Sequence, residues 1–248
     1  MEIEIIPGNS NHIRELREVF LAENAIEFIY NKCHENNWAQ AWLFKMDETS
    51  IGYAATWGLD PKAEKKALFE FYLTAPYRHL LNRVFEKFLP LSPAEVIECQ
   101  SNDPLLAALL FEYAQNIRGE ALLFEDDGPT QLSVPGAEFT QLSPPAQGSA
   151  DQGNYALKLA GEVVATGGFM LNYNKPYADI YMEVKEGFRN RGLGSLLIQE
   201  LKNEICRMGR VPAARCNISN RASKAALMKA GFKVCGVMLK GDIVFRQP

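Results

Sequence analysis

Phe188-Arg189-Asn190-Arg191-Gly192-Leu193-Gly194-Ser195 joins a strand-like segment, residues 178–184, to a strongly amphipathic helix. Two glycines therefore stand where a strand turns into a helix, with two arginines just before them. Glycine adopts backbone angles that other residues resist and lets a ligand approach the main chain closely. The first N–H groups of a helix have no partner inside it, and the helix dipole favours negative charge at that end. The stretch thus has the makings of a phosphate cradle. A dinucleotide fingerprint requires Gly-x-Gly-x-x-Gly, but Leu197 occupies the third glycine position. A P-loop requires Gly-Lys-Ser/Thr after its spacer, and none follows here.

What remains is Arg-x-x-Gly-x-Gly, at Arg189, Gly192 and Gly194. A second element follows one helix and one strand later. Asn217-Ile218-Ser219-Asn220-Arg221-Ala222-Ser223 opens a helix that Lys229-Ala230-Gly231-Phe232 closes. In this order, the two elements resemble the acyl-CoA loop and the following helix of the GNAT superfamily of N-acyltransferases, whose later helix commonly begins with Asn and ends in Gly-Phe at this separation. The resemblance covers residues 137–246.

Composition sets the outer bounds. The chain has 248 residues, 47% of them hydrophobic, enough for one large domain or two small ones. Its 26 basic and 30 acidic residues give a net charge of −4, which offers no basic excess for nucleic acid. Cys33, Cys99, Cys206, Cys216 and Cys235 are scattered, with no Cys-x-x-Cys pair. They read as reduced thiols of a cytoplasmic protein, not a disulfide framework or a zinc site. His12, His34 and His79 are too dispersed for a histidine-rich metal site. No signal peptide or apolar run of membrane-spanning length is visible.

Residues 128–153, punctuated by Gly128-Pro129, Pro135-Gly136, Pro144-Pro145, Gly148 and Gly153, read as a linker or crossover with a short strand near 137–142. The expected organisation is a first domain at 1–127, this linker, and a second domain at 154–248. In the first part, strands are expected at 2–6, 39–46, 51–57, 67–74 and 95–99. Helices are expected after a Ser10 or Asn11 cap, around Ile26–Cys33, from Pro76, and from Asp103-Pro104, where Asp as cap and Pro at the first helical position form a strong start. In the second part, strands are expected at 154–160, 162–171, 177–184 and 212–217, with helices at 192–208 and from Asn220 to Ala230. Two separate closing strands are expected at 233–239 and 242–246. The order strand, helix, strand, helix, strand thus occurs twice, at 66–124 and 177–246, which suggests an internal duplication. Tyr77-Arg78 then falls where Phe188-Arg189 falls, and Leu81 and Arg83 take the glycine positions. The first copy should therefore not bind a nucleotide through this loop. The fold class is α/β (α+β): a GNAT-like mixed, mostly antiparallel sheet flanked by helices, in two tandem halves, the first degenerate.

The resemblance implies an N-acetyltransferase that moves an acetyl group from acetyl-CoA to the amine of a small-molecule or peptide acceptor. It implies that Arg189, Asn190, Arg191, Gly192, Leu193, Gly194 and Ser195 hold the CoA pyrophosphate. Met182 and Val184 would pair with the pantetheine arm as an added strand. Asn217, Asn220 and Ser223 would contact the same arm or order water beside the thioester, although their residue types also suit plain capping. Asp179, Tyr181 and Glu183 alternate onto one face of their strand, which makes Glu183 and Asp179 the candidate bases. Many members carry a tyrosine one turn before the Gly-Phe as general acid, and here that position is Leu227. Tyr173, Tyr177 and Tyr181 are the candidate substitutes. The competing reading is a non-catalytic CoA-binding or protein-interaction module with the same fold.

Overall fold

The computed structural model describes residues 2–57, 66–143, 149, 151 and 153–244. The chain divides into two units, Met1–Glu120 with Val237–Pro248, and Ala121–Gly236. These limits differ from the boundaries expected at 127 and 154, chiefly because the end of the chain belongs with the first unit.

The first unit opens with β1 (Ile3–Gly8), α1 (Ser10–Asn24) and the short α2 (Asn31–Glu35). The cap of α1 is Asn9, not Ser10 or Asn11. Its side chain accepts from Asn11 N–H, and the His12 ring reaches back to the Asn9 N–H in a capping box. Strands β2 (Ala39–Met46), β3 (Thr49–Trp57) and β4 (Ala67–Leu73) follow as an antiparallel meander on β1. After β4 a 3-10 turn at Ala75–Leu80 leads into α3 (Leu81–Phe88), then β5 (Val96–Gln100) and α4 (Pro104–Tyr113), capped by Asp103 as expected. The helix expected from Pro76 is therefore 3-10 in its first turns.

Strands β4 and β5 are parallel but pair only at Ala67↔Val96 and Leu68↔Ile97. On the other side of β5 lies β12 (Phe232–Ile243), whose Met238–Asp242 segment pairs antiparallel with it. This is one strand where two were expected; residues 245 and 246 lie outside the described residues. Gly241, between the two expected strands, lies within β12, where a Cβ would stand 3.0 Å from Ala114 Cβ and from Leu110 Cδ1.

One face of this sheet packs Trp42, Phe44, Phe71, Phe85 and Phe88 together, with ring centroids of Phe44 and Phe71 5.1 Å apart. The α1–α2 face carries a buried polar network instead. Glu70 is wholly buried and accepts from Arg17 Nε at 3.1 Å and Tyr53 Oη at 2.9 Å, with His34 Nε2 at 2.6 Å. Burial pushes its carboxyl up, but Arg17 and His34 outweigh that and hold it below the usual carboxylate value.

The second unit contains the end of β6 (Ala114–Asp126), then β7 (Ala137–Gln141), β8 (Tyr155–Leu159), β9 (Glu162–Met170), β10 (Tyr177–Val184), α5 (Leu193–Arg207), β11 (Val211–Asn217) and α6 (Arg221–Lys229). Strands β7 to β10 form an antiparallel meander, β10 and β11 are parallel, and β11 pairs antiparallel with β6. The apolar stripe of α5, Leu193, Leu196, Leu197, Leu201 and Ile205, meets Phe169, Ile180 and Ala214 of the sheet in one buried cluster. Both units thus have a mixed, mostly antiparallel sheet flanked by helices, and strand–helix–strand–helix–strand occurs twice along the chain, from β4 to β6 and from β10 to β12. All five cysteines are free thiols. Among the described residues no helix is long and apolar enough to cross a membrane.

Candidate active site

The site begins where β10 and β11 part. β10 pairs with β9 from Asp179 to Val184, but with β11 only from Tyr177 to Ile180. Beyond Ile180, β11 continues along β6 through Asn217. The backbone of Met182 to Val184 is therefore paired on one side only. Main-chain groups alternate sides along a strand. Lys185 N–H donates to Val164 C=O on the β9 side, so the N–H and C=O of Val184 point to the open side. Its C=O there accepts from Arg189 Nε at 3.1 Å. Met182 has the same phase as Val184.

The cradle lies at the end of this open edge. Gly192 caps α5 in the left-handed region, at φ 79°, and Asn190 is left-handed too, at φ 62°. The first turn closes with Leu196 N–H on Gly192 C=O at 3.0 Å, so the N–H groups of Leu193, Gly194 and Ser195 have no acceptor within the helix. A Cβ at Gly194 would meet Met182 Cε at 3.2 Å and Val184 Cγ2 at 3.5 Å. Gly194 thus brings the helix end down onto the open strand edge. The exposed Arg191 guanidinium lies over the Phe188 ring at 5.3 Å. Arg189 to Ser195, Met182 and Val184 are therefore gathered in one place, and the chemistry on offer is positive: oriented N–H groups, a helix N-terminus and two guanidinium groups.

Asn217, Asn220 and Ser223 sit at the start of α6 with local roles. Asn217 Oδ1 accepts from Ser219 N–H at 2.9 Å and from Ser219 Oγ at 2.6 Å. Asn220 Oδ1 accepts from Ser223 N–H at 3.0 Å, an ordinary N-cap. Gly231, at φ 80°, ends the helix. Sequence reasoning passed over Lys202 of α5, which fixes this end. Its ammonium is buried and donates to the C=O groups of Gly128 (2.7 Å), Ala230 (2.9 Å) and Gly231 (3.1 Å), pairs with Asp126 at 2.5 Å and lies over the Phe232 ring. A lysine on the apolar stripe of α5 was the available signal.

On the face of β10 away from α5 stand Asp179, Tyr181 and Glu183. Asp179 is buried and pairs with Arg215 Nη1 of β11 at 2.9 Å. Arg215 in turn donates to Tyr173 Oη at 2.6 Å and lies 5.1 Å from that ring's centroid. Glu183 is exposed. Tyr181 Oη donates to Asp151 Oδ1 at 2.5 Å, and burial followed by the Asp151 charge raises its phenol above the usual value. Gly153 and Gly168 leave room for that hydroxyl, since a Cβ on either would lie 2.2 or 2.8 Å from it. Leu227, at the position where the resemblance implies a tyrosine, is buried in the α5 core cluster. Arg215 and Asp151 had no motif to mark them.

Comparison with known proteins agrees with the fold. Residues 9–127 match the model of the acetyltransferase (GNAT) domain, and residues 173–238 match that of the FR47-like protein. Among solved structures, a GNAT-family acetyltransferase from Colwellia psychrerythraea superposes with a TM-score of 0.74 at 12% identity, covering 98% of this chain and 100% of that one. A tandem GNAT protein from the clavulanic acid biosynthesis pathway gives 0.63 at 12% identity, covering 99% and 100%. A GCN5-related N-acetyltransferase from Sphaerobacter thermophilus gives 0.63 at 14% identity, covering 97% and 95%. A search of curated protein sequences gives no match. Residues 9–127 thus match a GNAT acetyltransferase domain and residues 173–238 an FR47-like one, and the fold of the chain is that of GNAT acetyltransferases, a tandem GNAT protein among them.

Proposed function

We propose that the second unit is an N-acyltransferase that takes an acetyl group from acetyl-CoA and gives it to the amine of a small molecule or peptide. The observation that carries this reading is the coincidence of the Gly192-capped helix end with the one-sided edge of β10. Diphosphate suits the free N–H groups of Leu193, Gly194 and Ser195 and the charges of Arg189 and Arg191. An amide-bearing arm suits the open N–H and C=O groups of Met182, the Val184 C=O being held by Arg189 Nε. The residues present thus fit acetyl-CoA, which supplies an activated acyl carbon when bound.

The chain's own part is orientation and proton handling. The Val184 N–H, aimed at the open side, is placed to stabilise negative charge developing on an acyl oxygen. The acceptor must be a neutral amine to attack, so a base must remove its proton. Of the two candidate carboxylates, Asp179 is buried and already engaged by Arg215. Glu183 is exposed and takes the proton in this scheme, while Asp179 positions Arg215 and Tyr173. In the first unit Leu81 stands at the position matched to Gly192; it is in the right-handed region at φ −47° and packs on the core, so it offers no comparable cradle.

Turnover of a panel of amines with acetyl-CoA is the test, read with Glu183→Gln. Removal of the base should lower the rate by about 10²–10⁴ with little change in acetyl-CoA affinity. An unchanged rate would remove Glu183 from the scheme. One observation favours a second reading, a CoA-binding module without turnover: the general-acid position is the buried Leu227. Acetyl-CoA binding with no acetylation of any amine above background thioester hydrolysis would select that reading.

A further inference from the structure

On the face of β10 away from α5, Tyr181 is the neighbour of Glu183. Residues on one face of a strand stand two positions apart, about 7 Å along it. Across the sheet Glu183 faces Thr166 of β9, and Tyr181 faces Gly168. Thr166 is small and exposed, whereas the Tyr181 ring is 41% exposed and offers an apolar surface beside the proposed base. A molecule that brings its nitrogen to Glu183 and extends along β10 toward Asp179 therefore meets this ring.

The ring is held at its tip. Its hydroxyl donates to Asp151 Oδ1 at 2.5 Å, a charge-assisted bond. Asp151 is joined to the sheet by an isolated antiparallel bridge to Met170, and its N–H donates to Ser149 Oγ at 3.1 Å. Two glycines give the hydroxyl its place. A Cβ at Gly153 would lie 2.2 Å from Tyr181 Oη, and one at Gly168 would lie 2.8 Å from it and 2.4 Å from Gly153 Cα. Gly153 thus rests on Gly168 backbone to backbone, with the tyrosine tip beside them, and a side chain at either position would push the hydroxyl off Asp151. Burial first, then the hydrogen bond to Asp151 and its charge, raise the phenol above its usual value, which leaves Tyr181 ill suited to protonate a leaving thiolate.

We propose that Asp151 is a positioning residue for the acceptor: it holds the Tyr181 ring over Gly168 as the wall on which the acceptor's carbon skeleton packs while its nitrogen meets Glu183. This role rests on the acyl-transfer reading of the second unit. Asp151 acts through the ring. A ring released from it regains side-chain freedom that acceptor binding must then remove. The donor site lies on Met182, Val184 and the start of α5, the other phase of β10, so loss of Asp151 weakens acceptor binding and spares acetyl-CoA.

The test is steady-state acetylation by the full chain of whichever amine the parent turns over fastest among benzylamine, putrescine, lysine and trialanine. Tyr181→Phe and Asp151→Ala should each raise the acceptor KM about tenfold, the scale of one lost hydrogen bond, with kcat within about twofold. The acetyl-CoA Kd, read by calorimetry, should not change. Asp151→Asn, whose amide oxygen accepts from the hydroxyl, should bring KM back to within about threefold of the parent. A readout without turnover is NMR of tyrosine labelled at the ring ζ-carbon. The Tyr181 resonance, assigned by its absence in Tyr181→Phe, should move in Asp151→Ala and move less in Asp151→Asn. An unmoved resonance in Asp151→Ala, an unchanged acceptor KM, or a loss confined to kcat would overturn this role and leave the acyl-transfer reading standing. Acetylation of none of the four amines by the parent would overturn the reading and this role together.

Discussion

Replacing Asp103 by Asn should make the protein more stable at high pH and not at low pH. Asp103 is 2% exposed and its carboxyl is raised from 3.8 to about 7, by burial first and then by the Glu70 charge, against the pull of backbone N–H groups. A carboxyl whose pKa is raised on folding holds its proton more tightly in the folded state. The stability this contributes is full below pH 3.8 and is lost as pH rises through about 7. The gap between those values corresponds to about 4 kcal/mol. Asparagine keeps the acceptor that caps α4 at Leu106 N–H and does not ionise, so it escapes the loss. Urea unfolding of both proteins across the range from about pH 4 to about pH 8 should therefore show the variant gaining on the parent by up to about 4 kcal/mol, most of it between about pH 4 and about pH 7 and little beyond. A difference that stays flat across this range would refute the buried, unrelieved carboxylate on which the reasoning rests.

Two other substitutions probe the second unit. Lys202→Met keeps the packing on Phe232 but removes three hydrogen bonds to C=O groups and the pair with Asp126. It should cost about 3–5 kcal/mol in chemical unfolding, and a cost under about 1 kcal/mol would mean that water replaces the ammonium. Asp179→Asn should cost about 1–3 kcal/mol by loosening Arg215 from Tyr173, and it should lower turnover less than Glu183→Gln does. The reverse order of rates would make Asp179 the base.

The elements that frame the site were legible because local rules and the fold agree there. The 3.6-residue stripe of α5, the Asp103-Pro104 start of α4, and the Asn220 cap with Gly231 as stop each follow from residue chemistry that needs no distant partner. Where a distant contact decides, the reading failed. The two closing strands expected at 233–239 and 242–246 are one, and Ala114 and Leu110 crowd Gly241 inside it. Asn9 caps α1 ahead of two equally good cap residues because His12 completes the box. The charged partners at β10 were hidden for the same reason. Arg215 lies 36 positions from Asp179 in sequence, and only the parallel pairing of β10 with β11 brings their side chains together. Leu81 and Arg83, at the positions matched to the cradle glycines, were legible in the first part.

The account stands on the Gly192 helix end as the place where the acyl donor binds. Calorimetry of acetyl-CoA with the parent protein and with Gly192→Glu tests it most directly. The left-handed angle at Gly192, φ 79°, makes any side chain there strained by about 1 kcal/mol, too little to unfold the unit, while the added carboxylate repels a diphosphate. Binding by the parent and its loss in a Gly192→Glu protein with an unchanged circular dichroism spectrum is the predicted result. Undiminished affinity in the folded variant, or no binding by the parent at millimolar acetyl-CoA, would contradict the account.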